Sequence, residues 1–171
     1  MARIGFGNHE ANAEVKALAE QIRRERGGLG ELYRTLLNSP PVARGWLNLL
    51  TAIRQQCELA ARYREIVIIR IAVLNGADYE KQSHIPHARE AGLSDAQIEA
   101  LSDWSSSTAF DESDRAVLAY TDAMTRDVHV SDAVFGSVRK RFDDRQLTEL
   151  TATIAAYNLV SRFLIALQVG H

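Results

Sequence analysis

Glu80 and His84 stand four residues apart, the spacing that brings two side chains onto one face of a helix and within hydrogen-bonding reach. A carboxylate beside an imidazole raises its basicity and fixes its tautomer, the preparation a general base needs near neutral pH. The same spacing also describes an ordinary Glu–His pair on a helix surface. His87 extends the face, so that Glu80, His84 and His87 together suggest metal ligands. An i, i+3 histidine pair with Pro86 between them is not a standard ligand spacing, however, and no second ligand cluster occurs elsewhere. We therefore expect no metal, and His87 reads as a rim residue. Pro86 lacks an amide donor and should kink its helix near Gln82–Ser83. Tyr79 has two readings, a hydrogen-bond donor to a substrate or a core or interface tyrosine.

Glu65 opens an otherwise apolar helical stretch, with Ala61, Ile68, Ile69, Ala72 and Gly76 on its face. It is read either as an acid favoured by the positive end of a helix or as a semi-buried carboxylate with a raised pKa that relays protons to His84. The small residues Ala72, Gly76 and Ala77 would leave room for such a pocket. Asn158 and Arg162 are again spaced i, i+4. They form either a polar pair tying helices together or a carboxylate anchor for a substrate. Arg64 and Arg70 are anion-binding candidates or surface charges. Trp46 and Trp104 are core or subunit-contact residues.

These residues need helices to position them, and helical punctuation recurs along the chain. Residues 13–26 carry Val15, Leu18, Ala19 and Ile22 at three- and four-residue spacing, ended by Gly27-Gly28. A short apolar stripe follows over 29–37. Ser39 then reads as an N-cap with Pro40 at the first helical position, opening a helix with Trp46, Leu49, Leu50 and Ile53 inward. The run EIVIIRIAVL, 65–74, is apolar enough to be a buried strand or a buried helix. The lack of any second strand-like run decides for a helix. Asn75-Gly76 breaks it, a second helix follows over 77–91, and Gly92 suits a left-handed helix end. Ser94 to Gln97 has the form of a capping box. Asp111, Ser131 and Asp143 open three more helices, the last with Leu147, Leu150, Ile154, Tyr157, Ser161 and Leu164 on one face. The expectation is one all-α domain over residues 1–171, a bundle of about eight helices.

Composition narrows the function classes. The chain has 171 residues, 46% of them hydrophobic and 25% charged, enough to build a core. A net charge of −2 argues against a nucleic acid or an anionic membrane as partner. No continuous apolar run approaches the roughly 20 residues of a membrane span, and the N-terminal residues do not read as a signal peptide. A single cysteine, Cys57, rules out an internal disulfide and fits a reducing cytoplasm.

The segment REIVIIRIAVLNGADYEKQSHIPHAREAGLSDAQIEAL, 64–101, resembles the core of the carboxymuconolactone decarboxylase and AhpD-like family. Members show an Arg-Glu-apolar helix, a break, a helix carrying a histidine, and an A-G-L-S/T turn. The closing YNLVSRF, 157–163, is similar to the family's C-terminal helix, so the resemblance covers about 40–168, after N-terminal helices at 13–38. Redox members carry a glutamate and, twelve residues later, C-x-x-C-x-x-x-H. On this chain the glutamate is Glu65, the cysteine positions hold Ala77 and Glu80, and the histidine is His84. A two-cysteine peroxidase needs a low-pKa thiolate and a resolving thiol. Neither exists at those positions, so that activity is excluded.

The resemblance implies an AhpD-like helical fold that assembles as a homo-oligomer, a trimer or hexamer. It also implies a cofactor-free acid/base enzyme that decarboxylates or isomerises a small unsaturated cyclic acid or lactone. His84 would be the acid/base, Glu65 its relay and Glu80 an orienting or second acid/base group, with Tyr79, His87, Asn158 and Arg162 as substrate contacts. Two alternatives stand beside it: a non-catalytic oligomeric binding or stress protein, and a peroxidase working through Cys57.

Overall fold

The computed structural model describes residues 2–170, and among them every regular element is helical. Nine α-helices are present among the described residues, one more than the caps and stripes suggested. The chain divides into two compact units, one comprising the residues up to Gln56 and those from Leu164 onward, the other Cys57–Phe163.

In the first unit α1 (Ala13–Arg26) is capped by Asn12, whose side chain accepts from the Val15 amide at 2.9 Å, and ends at Gly27 with φ 74°. Its buried residues are Val15, Leu18, Ala19 and Ile22, as the spacing predicts. After α2 (Glu31–Leu36), α3 (Pro40–Thr51) runs into a π-helical turn at Ala52–Gln56. Ser39 occupies the N-cap position but makes no side-chain capping bond. Pro41, at the second helical position, has no N–H, so one of the two amides a cap side chain would serve is missing. The inward residues of this segment are Ala43, Trp46, Leu47, Leu50 and Ile53, whereas Leu49, expected inside, is 44% exposed. The stripe is narrow, and Leu49 lies about 100° round the helix from Leu50.

The second unit holds α4 (Ala61–Asn75), α5 (Asp78–Glu90), α6 (Asp95–Ala100), a 3₁₀ turn at Leu101–Asp103, α7 (Glu112–Arg126), α8 (Asp132–Arg139) and most of α9 (Asp144–Leu167). α4 is the core element and packs against α5, α7 and the 3₁₀ turn. Every residue from Glu65 to Ala72 is buried within the single chain. Its all-round apolar character is therefore met inside one protomer, and a neighbouring subunit is not needed to explain it. The caps read at Ser94, Asp111, Ser131 and Asp143 are all made, Ser94 with Gln97 as a full capping box. α5 runs unbroken from Asp78 to Glu90 with Pro86 inside it, and is not interrupted at Gln82–Ser83.

α9 has 24 residues and, over an 18-residue window, a mean hydropathy of 1.5, enough by length and composition to cross a membrane. Half of that window is buried in the chain, as in the core helix of a bundle.

The α4–α5 junction sets the positions of the chemistry. Gly76 has φ 68°; its amide donates to the Val73 carbonyl at 3.3 Å, and the Ala77 amide to the Ala72 carbonyl at 2.8 Å. This is a Schellman ending, which needs a left-handed residue where Gly76 stands. A Cβ at Gly76 would meet open space, so any cost of Gly76→Ala comes from backbone conformation alone. We expect that variant to lose about 1–2 kcal/mol of stability, read as a lower urea midpoint.

Candidate active site

Glu65 lies in the second turn of α4 and His84 in the second turn of α5. The antiparallel hairpin made by the Gly76 turn brings them together: His84 Nδ1 is 2.8 Å from Glu65 Oε2. Both are buried, Glu65 at 1% exposure and His84 at 7%. The second carboxylate oxygen, Oε1, accepts from Arg64 Nε at 3.1 Å. The ring of His84 stands edge-on to Tyr157 of α9, centroids 5.4 Å apart, and to His87 at 5.6 Å.

Of the two readings of Glu65, the proton relay carried a raised pKa, and the surroundings of the carboxyl reverse that direction. Burial alone pushes the carboxyl up, but the hydrogen bond and charge of His84, with those of Arg64, outweigh it and hold Glu65 below the ordinary carboxylate value. An ionised Glu65 accepts from Nδ1–H, so the other ring nitrogen, Nε2, carries the lone pair that can take a proton.

Glu80 also departs from expectation. It does not hydrogen-bond His84, whose Nδ1 is directed at α4 instead. Glu80 is 3% exposed, and neither carboxyl oxygen has a hydrogen-bond partner. With nothing to compensate, burial pushes its pKa up to about 8, so at neutral pH it is mainly the un-ionised acid. The turn at Gly76 supplies the reason. A glutamate at the third helical position normally accepts from the N-cap amide. Here that amide belongs to Ala77 and is already bound to Ala72.

The remaining candidates separate. His87 is exposed and lies 3.4 Å from Glu90, beside the His84 ring as a rim residue would. Tyr79 is half-buried, and its carbonyl accepts from the Ser83 hydroxyl at 2.8 Å. Asn158 and Arg162 belong to a network between helices. Asn158 donates to Thr125 Oγ1 at 2.9 Å and accepts from Asn75 at 3.2 Å and Arg162 at 2.9 Å. The Asn158 side chain is thus engaged in tying α9 to α4 and α7, the structural of its two readings. Among the described residues no three His, Cys, Asp or Glu side chains converge as metal ligands would.

Two participants were not singled out for this site from sequence. Tyr157 was placed on the inward face of α9, but its partner was not visible. Arg64 was an anion candidate, whereas it binds the adjacent Glu65, a pairing that helical spacing does not suggest. Arg70 is neither a surface charge nor an anion site. It is 4% exposed, donates from Nε and Nη2 to Asp122 at 2.6 Å, and from Nη1 to the carbonyls of Leu101 and Ser102 at 2.8 and 3.0 Å. Cys57 is half-buried, and burial together with the nearby Glu149 pushes its thiol up, away from the thiolate a peroxidase requires.

The carboxymuconolactone decarboxylase family model matches residues 40–123. The chain is 32% identical over 127 residues to the uncharacterized protein YnjA of Escherichia coli (strain K12), spanning 73% of this chain and 66% of that one. It is 25% identical over 115 residues to the uncharacterized protein YdfG of Bacillus subtilis (strain 168), spanning 66% of this chain and 78% of that one. A solved structure from Agrobacterium tumefaciens, of unknown function and associated by name with the antioxidant defence protein AhpD, is 26% identical. It superposes with a TM-score of 0.74 over 78% of this chain and 92% of that one. A peroxidase-related protein from Silicibacter sp. TM1040 shares the fold at 15% identity, with a TM-score of 0.84 over 98% and 90% of the two chains. So does the debrominase Bmp8, solved as a cysteine-to-alanine variant with 2,3,4-tribromopyrrole, at 17% identity and a TM-score of 0.81 over 97% and 89%. With Glu65 and His84 joined in the α4–α5 hairpin and no cysteine at Ala77 or Glu80, the chain matches the carboxymuconolactone decarboxylase family over residues 40–123, is AhpD-like in fold and lacks the paired redox cysteines.

Proposed function

We propose that the protein is a cofactor-free acid/base enzyme acting on a small unsaturated cyclic acid or lactone, by decarboxylation or double-bond isomerisation, in a reducing cytoplasm. The observation that carries this reading is the buried 2.8 Å bond between Glu65 and His84. An ionised carboxylate held on Nδ1 keeps the imidazole in one orientation and stabilises the imidazolium once Nε2 has taken a proton.

In a decarboxylation, the electrons of the breaking carbon–carbon bond move into the adjacent carbonyl and form an enolate as carbon dioxide leaves. The protonated His84 delivers its proton to the ring carbon, and solvent restores it. In an isomerisation the same nitrogen removes a proton from one carbon and returns it to another. Neither sequence needs an electron acceptor or a thiol. The tribromopyrrole bound by Bmp8 supports a small flat ring as a ligand type that this fold accepts. A trimer or hexamer remains part of the proposal on the family resemblance, since α4 is already enclosed within one chain.

The test is a screen of unsaturated lactones and enolisable cyclic acids with wild type beside His84→Ala. Wild type is expected to turn over at least one class, and His84→Ala to lose about 100-fold or more in kcat. Turnover by His84→Ala at the wild-type rate, or none by the wild type across the panel, would overturn the reading.

A further inference from the structure

The first turn of α5 combines two features. Ala77 at the N-cap has only a methyl side chain, and no side chain caps the helix. The first-turn amides of an α-helix have no acceptor within it, which leaves the N–H groups of Asp78 and Glu80 pointing out of the helix end with its positive partial charge. Independently, Glu80 is only 3% exposed, and both its buried carboxyl oxygens lack a partner. Long helical side chains lean toward the N-terminus, so Glu80 lies over this same turn and His84 over the turn that carries Glu80. Space is open beside Gly76, at the entrance to the turn.

A buried polar group without a partner costs free energy unless a ligand completes it. An un-ionised carboxyl offers an O–H, so a ligand oxygen that accepts a hydrogen bond completes its donor half. We propose that the α5 N-terminus and the Glu80 carboxyl form an oxyanion site, in which the Glu80 O–H and the amides of Asp78 and Glu80 receive the oxygen of an enol, enolate or phenolate. Resting on the acid/base reading, this assigns the substrate an oxygen conjugated to the carbon that His84 protonates. Charge then develops at two places: the proton moves at His84, and the electron pair arrives at the oxygen held by Glu80. A carboxylic acid kept neutral by its surroundings is suited to this task, since it donates to the oxyanion without repelling it.

The probe is para-nitrophenol at neutral pH, with para-nitroanisole as the analogue that cannot ionise. Binding is followed by absorption, which separates bound phenol from bound phenolate. Wild type is expected to bind para-nitrophenol as the phenolate, at least tenfold more tightly than the anisole. Glu80→Gln, which retains a donor, should weaken binding only a few-fold; Glu80→Leu should weaken it tenfold or more. Thermal melts confirm that each variant is folded. Equal affinity for the two probes, no phenolate binding by wild type, or wild-type affinity in Glu80→Leu would each overturn the inference. The two readings fail separately. Loss of turnover in His84→Ala with intact binding in Glu80→Leu sinks the oxyanion site alone. Glu80-dependent phenolate binding with no turnover of any acid or lactone sinks the acid/base reading alone.

Discussion

Glu80→Gln is expected to stabilise the fold by about 3 kcal/mol at pH 7, although it alters a residue of the candidate site. The sign follows from proton linkage. In the folded chain the pKa of Glu80 is about 8, against an ordinary value of 4.5. Below pH 4.5 both states hold the proton, and the native carboxyl costs nothing extra in charge. As pH rises, the unfolded chain releases the proton while the folded chain must keep it, so stability falls from about pH 4.5 and the loss is complete near pH 8. At about 1.4 kcal/mol per pH unit, the interval to pH 7 gives the quoted figure. Glutamine has the shape without the titration, so its advantage should grow between pH 5 and 8 and vanish at the acid end. Urea midpoints at three pH values measure it; a difference that does not change with pH would contradict the account. Glu65 has the opposite dependence. Its folded pKa is lowered, so its contribution is present above pH 4.5 and is lost as pH falls through the folded value.

Asp122→Ala should be the most damaging single change away from the site, costing about 3–5 kcal/mol. Arg70 is buried at 4% exposure and donates from Nε and Nη2 of its guanidinium to Asp122. Removing the carboxylate leaves that charge in the core with only the carbonyls of Leu101 and Ser102 as partners. Trp104 would lose the acceptor for its indole N–H, now 3.2 Å from Asp122. Replacing both members by apolar residues, Arg70→Met with Asp122→Leu, is expected to recover most of the loss, because no unpaired charge remains. Denaturant midpoints for the single and double variants check this. A single-variant loss under about 1 kcal/mol would show that the pair is solvated like a surface ion pair.

The fold was legible because its helix ends are local. Gly27, Gly76, Ser94, Asp111, Ser131 and Asp143 act on amides or carbonyls within a few residues, so sequence alone places them. Leu49 and Ser39 failed for equally local reasons: a buried stripe narrower than the apolar pattern, and a proline that removes one of the two donors a cap would bind. The site was partly legible. Spacing put Glu80 and His84 on one face and the family resemblance added Glu65, but spacing cannot say which carboxylate the imidazole chooses. That choice depends on a partner helix nineteen residues away and on an amide already used by the preceding turn. Arg70 with Asp122, fifty-two positions apart, is a tertiary pairing with no local signature. For the same reason the proton-relay reading of Glu65 has the wrong direction of pKa shift, since burial is foreseeable from sequence and the compensating neighbours are not.

The Schellman turn at Gly76 also makes the hairpin a ruler. Glu65 and His84 meet because the residues between them complete a fixed number of helical turns on either side of that glycine. One residue added to or removed from α4 between Glu65 and Gly76, or from α5 before His84, rotates one partner about 100° around its helix axis and turns it away from the other. A substitution on the outer face of either helix leaves this phase untouched. The distance along the chain from Glu65 to His84 is therefore held more tightly than the identity of most residues between them, and an insertion tolerated elsewhere would separate the pair here.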